Sequence, residues 1–155
     1  MRVYDQIIAN NKGLTNIELM DYSHKLSIPH FRGVFMLDVL PQKPHQVECG
    51  IVNFDSSNGP GTHWVCYAKT KKEERIYFDS FGQITPCEIQ KYLKTSEEYR
   101  NGTAVIQRNT DIVQRANTHV CGHLCLVVLT SLMREHISYQ NVLNLLNDGY
   151  TQGDW

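Results

Sequence analysis

The chain has 155 residues, 41% of them hydrophobic and 20% charged, with a formal net charge of −1. That length suits a single domain, residues 1–155, with enough chain to bury a real core. The near-zero charge excludes a global field drawing the protein to nucleic acid or an anionic membrane, and no apolar run approaches membrane-spanning length.

Five cysteines stand at Cys49, Cys66, Cys87, Cys121 and Cys125. An odd count without framework spacing argues against a disulfide scaffold. The stretch Met1 to Gln6 lacks the apolar core of a signal peptide. The expected setting is therefore reducing and intracellular, in a host cell or a virion, and not secreted. Asn101-Gly102-Thr103 fits a glycosylation sequon but reads as a turn in that setting.

In chain order, Leu14-Thr15-Asn16-Ile17-Glu18-Leu19 reads as a helix start. Thr15 and Glu18 have capping-box spacing, and Leu14 and Leu19 have staple spacing. This helix should run to about Leu26 and stop before Pro29. Phe31 to Leu37 is strand-like, Pro41 to Pro44 is a loop, and Cys49 to Phe54 is a short buried strand. Asp55 to Thr62 is a turn cluster of Ser, Asn, Gly and Pro. His63 to Ala68 and Arg75 to Asp79 are rich in β-formers and read as a hairpin centred near residues 71 and 72. Thr85 should cap a second helix reaching about Lys94, with Pro86 in its first position, Glu88 completing the box, and Ile84 and Ile89 as the staple. Ala104 to Arg108 reads as a strand. A long apolar helix follows from Cys121 to about Arg134, and a last helix is capped by Ser138 and closed by Gly149. The order predicts an α+β domain with one mixed or antiparallel sheet packed by helices.

The chemistry gathers at Cys121-Gly122. A cysteine at the N-terminus of a buried helix meets unpaired N–H groups and a dipole that favour an anion, and a thiolate is one. Gly122 allows a close approach to the sulfur. Thiol catalysis also needs a base and a group that orients the base. Of the seven histidines, His63 is the best placed, because it ends a Gly- and Pro-rich loop and begins a strand. Positions 63 and 79 are symmetric about residue 71, so Asp79 should face His63 directly or diagonally on one sheet face. Backbone N–H groups of Cys121 and Gly122 suit an oxyanion hole. Gln114 and Asn117 could each add a side-chain amide, and spacing does not choose between them.

Each residue alone has a plainer reading. Cys121 could be a buried core thiol, Trp64 a core residue beside a strand-edge His63, and Asp79 to Gly82 a turn. Cys125 reads as core or as support beneath Cys121. The alternation of His119, Cys121, His123 and Cys125 does not make a metal site, since i and i+2 point apart on a helix. No cofactor or metal is expected.

Gly61-Thr62-His63-Trp64, Tyr77 to Gly82, Gln114, Asn117 and Cys121 to Cys125 together resemble the adenovirus-type cysteine protease family, in its Polinton/Maverick, adintovirus and virophage branch. Cys49 to Asn53 and Phe31 to Met36 extend the likeness, which runs from about Leu14 to Leu146. The resemblance implies a papain-like, circularly arranged fold and a triad of Cys121, His63 and Asp79. It selects Gln114, seven residues before the cysteine, as the oxyanion donor, and matches Trp64, Asn117 and Gly122 as binding or supporting positions. It implies a monomeric thiol endopeptidase acting on capsid or virion precursors. Related SUMO and ubiquitin-like proteases usually carry Asp where this chain has Val120, which sets that isopeptidase reading second; an inactive, domesticated binding module is the third. Adenovirus proteases usually have Glu at the position of Asp79. They use DNA and a disulfide-linked peptide as activators. This chain is near neutral and has no cysteine between Gly102 and Arg108, so DNA is expected to act weakly or not at all, and an activating peptide would lack that anchor.

Overall fold

Thr15 opens the first helix of the described residues as its sequence predicts. Its hydroxyl accepts the Glu18 amide at 3.1 Å, its own amide donates to Glu18 Oε1 at 3.0 Å, and α1 spans Asn16–Lys25. The computed structural model describes residues 13–54, 63–94, 96–102, 105–113 and 119–147. The Asp55–Thr62 turn cluster and Gly149 lie outside them. Leu14 and Leu19 are both buried in the core beside Gly122.

Among the described residues, five strands form one sheet in the order β1-β2-β3-β4-β5: β1 Phe31–Met36, β2 Glu48–Asn53, β3 Trp64–Lys69, β4 Arg75–Phe78 and β5 Ile106–Arg108. The inner pairs β2–β3 and β3–β4 are antiparallel, while β1–β2 and β4–β5 are parallel, so the sheet is mixed. Alternation sorts the side chains. Cys49, Ile51, Cys66, Ala68, Ile76 and Phe78 enter the main core. Val52, Val65, Tyr67 and Tyr77 face the other way and pack with Ile89, Tyr92 and Leu93. Burial on both faces explains the near-continuous apolar runs of β2 and β3.

The second face also buries a charge. Glu48 is fully buried, and its carboxylate accepts from Arg32 Nη1 (3.0 Å), Tyr67 OH (2.6 Å), Tyr92 OH (2.9 Å) and the His45 amide. Gly50 makes room for this: a Cβ there would lie 2.8 Å from the Tyr67 ring.

Helix α2, Cys87–Leu93, begins later than its sequence suggests. Pro86 is the N-cap with extended backbone (ψ 148°), and Gln90 N donates to Pro86 O. Thr85 is therefore outside the helix, and its carbonyl accepts from the Gln90 side chain instead. Ile84 is 71% exposed, so it forms no staple with buried Ile89. A further helix, α3 Ser96–Asn101, was not expected; it has no apolar periodicity and is held by Glu98 on Arg75 at 2.8 Å.

Helix α4, Cys121–Leu129, is buried nearly all round, as an apolar helix in a core must be. Instead of running as α-helix to Arg134, it passes into a π-helical turn, Thr130–Arg134. There Glu135 N donates to Thr130 O, while the Thr130 hydroxyl donates back to Leu126 O at 2.7 Å, competing with the regular ladder. The last helix among the described residues, α5 Tyr139–Asn147, has Ser138 Oγ accepting the Asn141 amide.

Candidate active site

Three chain segments converge at one end of the sheet. His63 immediately precedes β3, and its carbonyl accepts the Phe54 amide just past β2 at 2.7 Å. Asp79 immediately follows β4, and Cys121 is the first residue of α4. His63 Nε2 donates to Asp79 Oδ1 at 2.7 Å. The Trp64 amide donates to Cys121 Sγ at 3.5 Å, and Cys121 also acts on the His63 ring, raising its pKa. With Nε2 taken by Asp79, Nδ1 is the nitrogen left for sulfur.

The strand register explains the meeting. Cys66 pairs with Phe78 and Lys69 with Arg75, so the hairpin centres on residue 72 rather than 71. Continuing that register sets Asp79 opposite Val65, two residues from His63, and places it on the diagonal of the same face. The same continuation sets Phe81 opposite His63, and their rings stack at 4.9 Å with an interplanar angle of 29°. Phe54 flanks the imidazole with its centroid at 6.0 Å.

Asp79 is held at both ends. Its Oδ1 also accepts the Phe81 amide at 2.9 Å, and Gly82 N closes the turn onto Asp79 O at 2.8 Å. Gly82 has φ +67°, and a Cβ there would lie 2.6 Å from Thr110 O, so only glycine suits this turn. Buried Asn109 clamps the Asp79 backbone: its Nδ2 donates to Asp79 O at 2.6 Å, and its Oδ1 accepts the Asp79 amide at 3.1 Å. Tyr139 OH packs against the same group, donating to Tyr77 O at 2.7 Å with Asn109 Oδ1 3.4 Å away. Asn109 was missed from sequence. The usable signal was a lone amide directly after a strand that borders the Asp79 strand.

Burial alone would lower the His63 pKa. The hydrogen bonds and charges of Asp79 and Cys121 outweigh it and push the imidazole up to about 9. At neutral pH His63 therefore carries its proton beside Asp79. The first α4 amide with an intrahelical partner is that of Leu124, on Val120 O. The Cys121 and Gly122 amides precede it, where an oxyanion could be received.

Gln114 and Asn117 lie outside the described residues. Trp64 is buried, with Nε1 donating to Leu14 O at 2.9 Å; its ring lies against Gly122 and its backbone serves the sulfur. Gly122 thus gives close packing to Leu19, Trp64 and Leu14, because a Cβ would meet all three within 3.5 Å. His119 is exposed and His123 is fully buried. Among the described residues, no group of three or more His, Cys, Asp or Glu side chains is arranged to hold a metal ion.

The adenovirus endoprotease family model matches residues 31–149. The chain belongs to the adenovirus endoprotease family. The matched span carries His63, Asp79 and Cys121 alike. A protease of bovine adenovirus 2 is 30% identical over 111 residues, covering 65% of this chain and 54% of that protein. The chain thus spans about half the length of that curated relative. The crystal structure of the ASFV pS273R protease superposes with a TM-score of 0.63 at 17% identity, over 93% of this chain and 68% of that one. Its selenomethionine form gives 0.59 at 16% identity. The α+β fold, of the papain-like cysteine protease type that the resemblance implies, is shared with that enzyme. Among the described residues, no helix is long and apolar enough to cross a membrane.

Proposed function

We propose that this chain is a single-domain thiol endopeptidase in which Cys121 is the nucleophile, His63 the base and Asp79 the group that orients and charges the base. The observation that carries the reading is the 2.7 Å His63–Asp79 contact beside a sulfur held by the next residue's amide at the head of a buried helix. The Cys121 thiolate attacks the scissile carbonyl. The oxyanion is received by the Cys121 and Gly122 amides, with the Gln114 side chain as the third donor. The His63 imidazolium gives its proton to the leaving amine as the C–N bond breaks. His63 then takes a proton from water, which hydrolyses the thioester and returns the thiol.

The substrates in this reading are capsid or other virion precursors of a Polinton-like or adenovirus-like element, cleaved inside the host cell or the particle by a monomer. Membership of an endoprotease family and the assembled Cys, His and Asp speak for an active enzyme over a domesticated binding module. Val120 before Cys121 speaks for the viral branch over an isopeptidase. The test is incubation of the element's capsid proteins with the native chain and with Cys121→Ser, followed by N-terminal sequencing of the products. New N-termini should appear with the native chain alone. Cleavage by Cys121→Ser, or turnover of a ubiquitin-like reporter with no capsid cleavage, would reject the reading.

A further inference from the structure

Phe81 is not core packing. Among the described residues, the side chains that build or pad the two apolar clusters do not include it, whereas Phe54, the other aromatic ring near His63, packs against the second cluster. Phe81 is nonetheless half-buried, and its ring lies on the His63 imidazole, with centroids 4.9 Å apart and planes 29° from parallel. Its packing is directed at the candidate active site.

Two features of the backbone bring it there. The hairpin register carries Phe81 opposite His63, as it carries Asp79 to the diagonal. The Asp79–Gly82 turn then brings the Phe81 amide onto Asp79 Oδ1 at 2.9 Å, the bond an aspartate makes to the backbone two residues on. That same oxygen accepts from His63 Nε2 at 2.7 Å. Phe81 thus meets the acid through its backbone and the base through its side chain. The turn is tied down without the ring: Gly82 N donates to Asp79 O and Val113 N to Ser80 O, both at 2.8 Å, and Asn109 clamps the Asp79 backbone. Many residues could supply the amide, but only a flat side chain can supply the stacking.

The imidazole has a use for that stacking. The second side-chain torsion of histidine has a broad range, so the bond at Nε2 leaves the tilt of the ring open. Tilt decides where Nδ1 points. An aromatic ring laid against the imidazole face narrows that freedom, and its π face also attracts a cation. The ionisable groups acting on the same imidazole are Asp79 and Cys121.

We propose that Phe81 is a positioning residue for the reaction, its ring setting the plane of the His63 imidazole and its amide fixing the carboxylate oxygen that the imidazole binds. Base and acid are thereby held in register by one residue, with Nδ1 turned to the Cys121 sulfur. The effect on rate rests on His63 being the base of the proposed peptidase; the effect on the imidazole does not.

The test compares Phe81→Leu, which keeps the amide and the apolar bulk, with Phe81→Tyr, which keeps the flat ring as well, both in the full-length chain. The leucine variant should lose about tenfold in kcat on a peptide substrate with KM little changed, and the tyrosine variant should stay within about twofold of native. In an NMR titration of the His63 ring, the midpoint should fall by about half a unit to one unit in Phe81→Leu and stay native in Phe81→Tyr. The titration needs no turnover, so it decides the proposal even if the native chain cleaves nothing and the peptidase reading fails. An unmoved midpoint in the leucine variant would overturn the proposal whatever the rate. A loss confined to KM would overturn it too, by making Phe81 a substrate contact. Equal losses in the leucine and tyrosine variants would do the same, by making it a structural residue of the turn.

Discussion

Replacing Asp79 by asparagine removes the carboxylate while keeping its shape, and the geometry says how the loss should depend on pH. In the native chain burial pulls His63 down, and Asp79 with Cys121 lifts it to about 9. Without the carboxylate the downward pull remains and the midpoint falls. A full return to the ordinary value of about 6.5 leaves roughly 3% imidazolium at pH 8, against about 90% in the native chain. The penalty in kcat/KM from lost leaving-group protonation should then grow from under about twofold at pH 6 to about thirtyfold at pH 8. Any pH-independent cost of misorienting the ring adds to it. The sign for stability runs the same way. His63 binds its proton more tightly folded than unfolded, so its contribution is complete below the unfolded midpoint of about 6.5 and is lost as pH rises through about 9. The direct assay is an NMR titration of the His63 ring in the native and Asp79→Asn proteins, with peptide cleavage followed over the same range. A native midpoint below about 7, or a variant midpoint within about half a unit of the native one, would refute the electrostatic argument.

Asn109→Ala should release the Asp79 backbone and lower kcat by about tenfold to a hundredfold with little change in KM. Because Asn109 is a positioning residue acting through Asp79, the His63 midpoint should fall with it; an unchanged titration would make its role merely structural. Glu48→Ala leaves Arg32 and two buried tyrosine hydroxyls without their shared acceptor, and should cost about 3 kcal/mol in denaturant unfolding without altering the site. Those tyrosines report the same network: burial and the Glu48 carboxylate push Tyr92 up to about 12 and Tyr67 further. Duplex DNA should stimulate peptide cleavage weakly or not at all, since Arg75 is already paired with Glu98 and Lys69 is lowered by burial and by Arg75. Strong stimulation at low salt that fades as salt rises would reverse that view.

The parts legible in the sequence were those fixed locally. Thr15 and Glu18 cap α1 because a capping box needs nothing beyond four consecutive residues. The diagonal placement of Asp79 against His63 followed from strand parity, which survives an error of one residue in the hairpin centre but not of half a residue. The same spacing rules failed at Thr85, where an extended Pro86 took the cap and left Ile84 exposed. Helix α3 has no apolar stripe to announce it, and its anchor on Arg75 is a long-range ion pair. Asn109 was invisible for a related reason: its Asp79 partner lies 30 residues away, and the parallel pairing of β5 with β4 brings the two together.

The five thiols show how position, rather than residue type, sets the chemistry. Cys49 is held on the β2 core face, donating to Pro29 O at 3.7 Å, and burial pushes its thiol far up. Cys125 lies one turn below Cys121 on the same helix, yet burial and its hydrogen bond with Cys66 also raise it well above the usual thiol range. Both are kept neutral by the interior that they help to fill. Cys87 is exposed at the start of α2. Cys121 has almost the burial of the core thiols but sits where α4 begins, with a backbone amide and the Asp79-supported His63 beside its sulfur. Moving a cysteine by one helical turn, from 125 to 121, exchanges an interior with no counter-charge for a polar end with a cation. In the proposed mechanism that exchange lets one thiol act as the nucleophile and leaves its neighbour as packing.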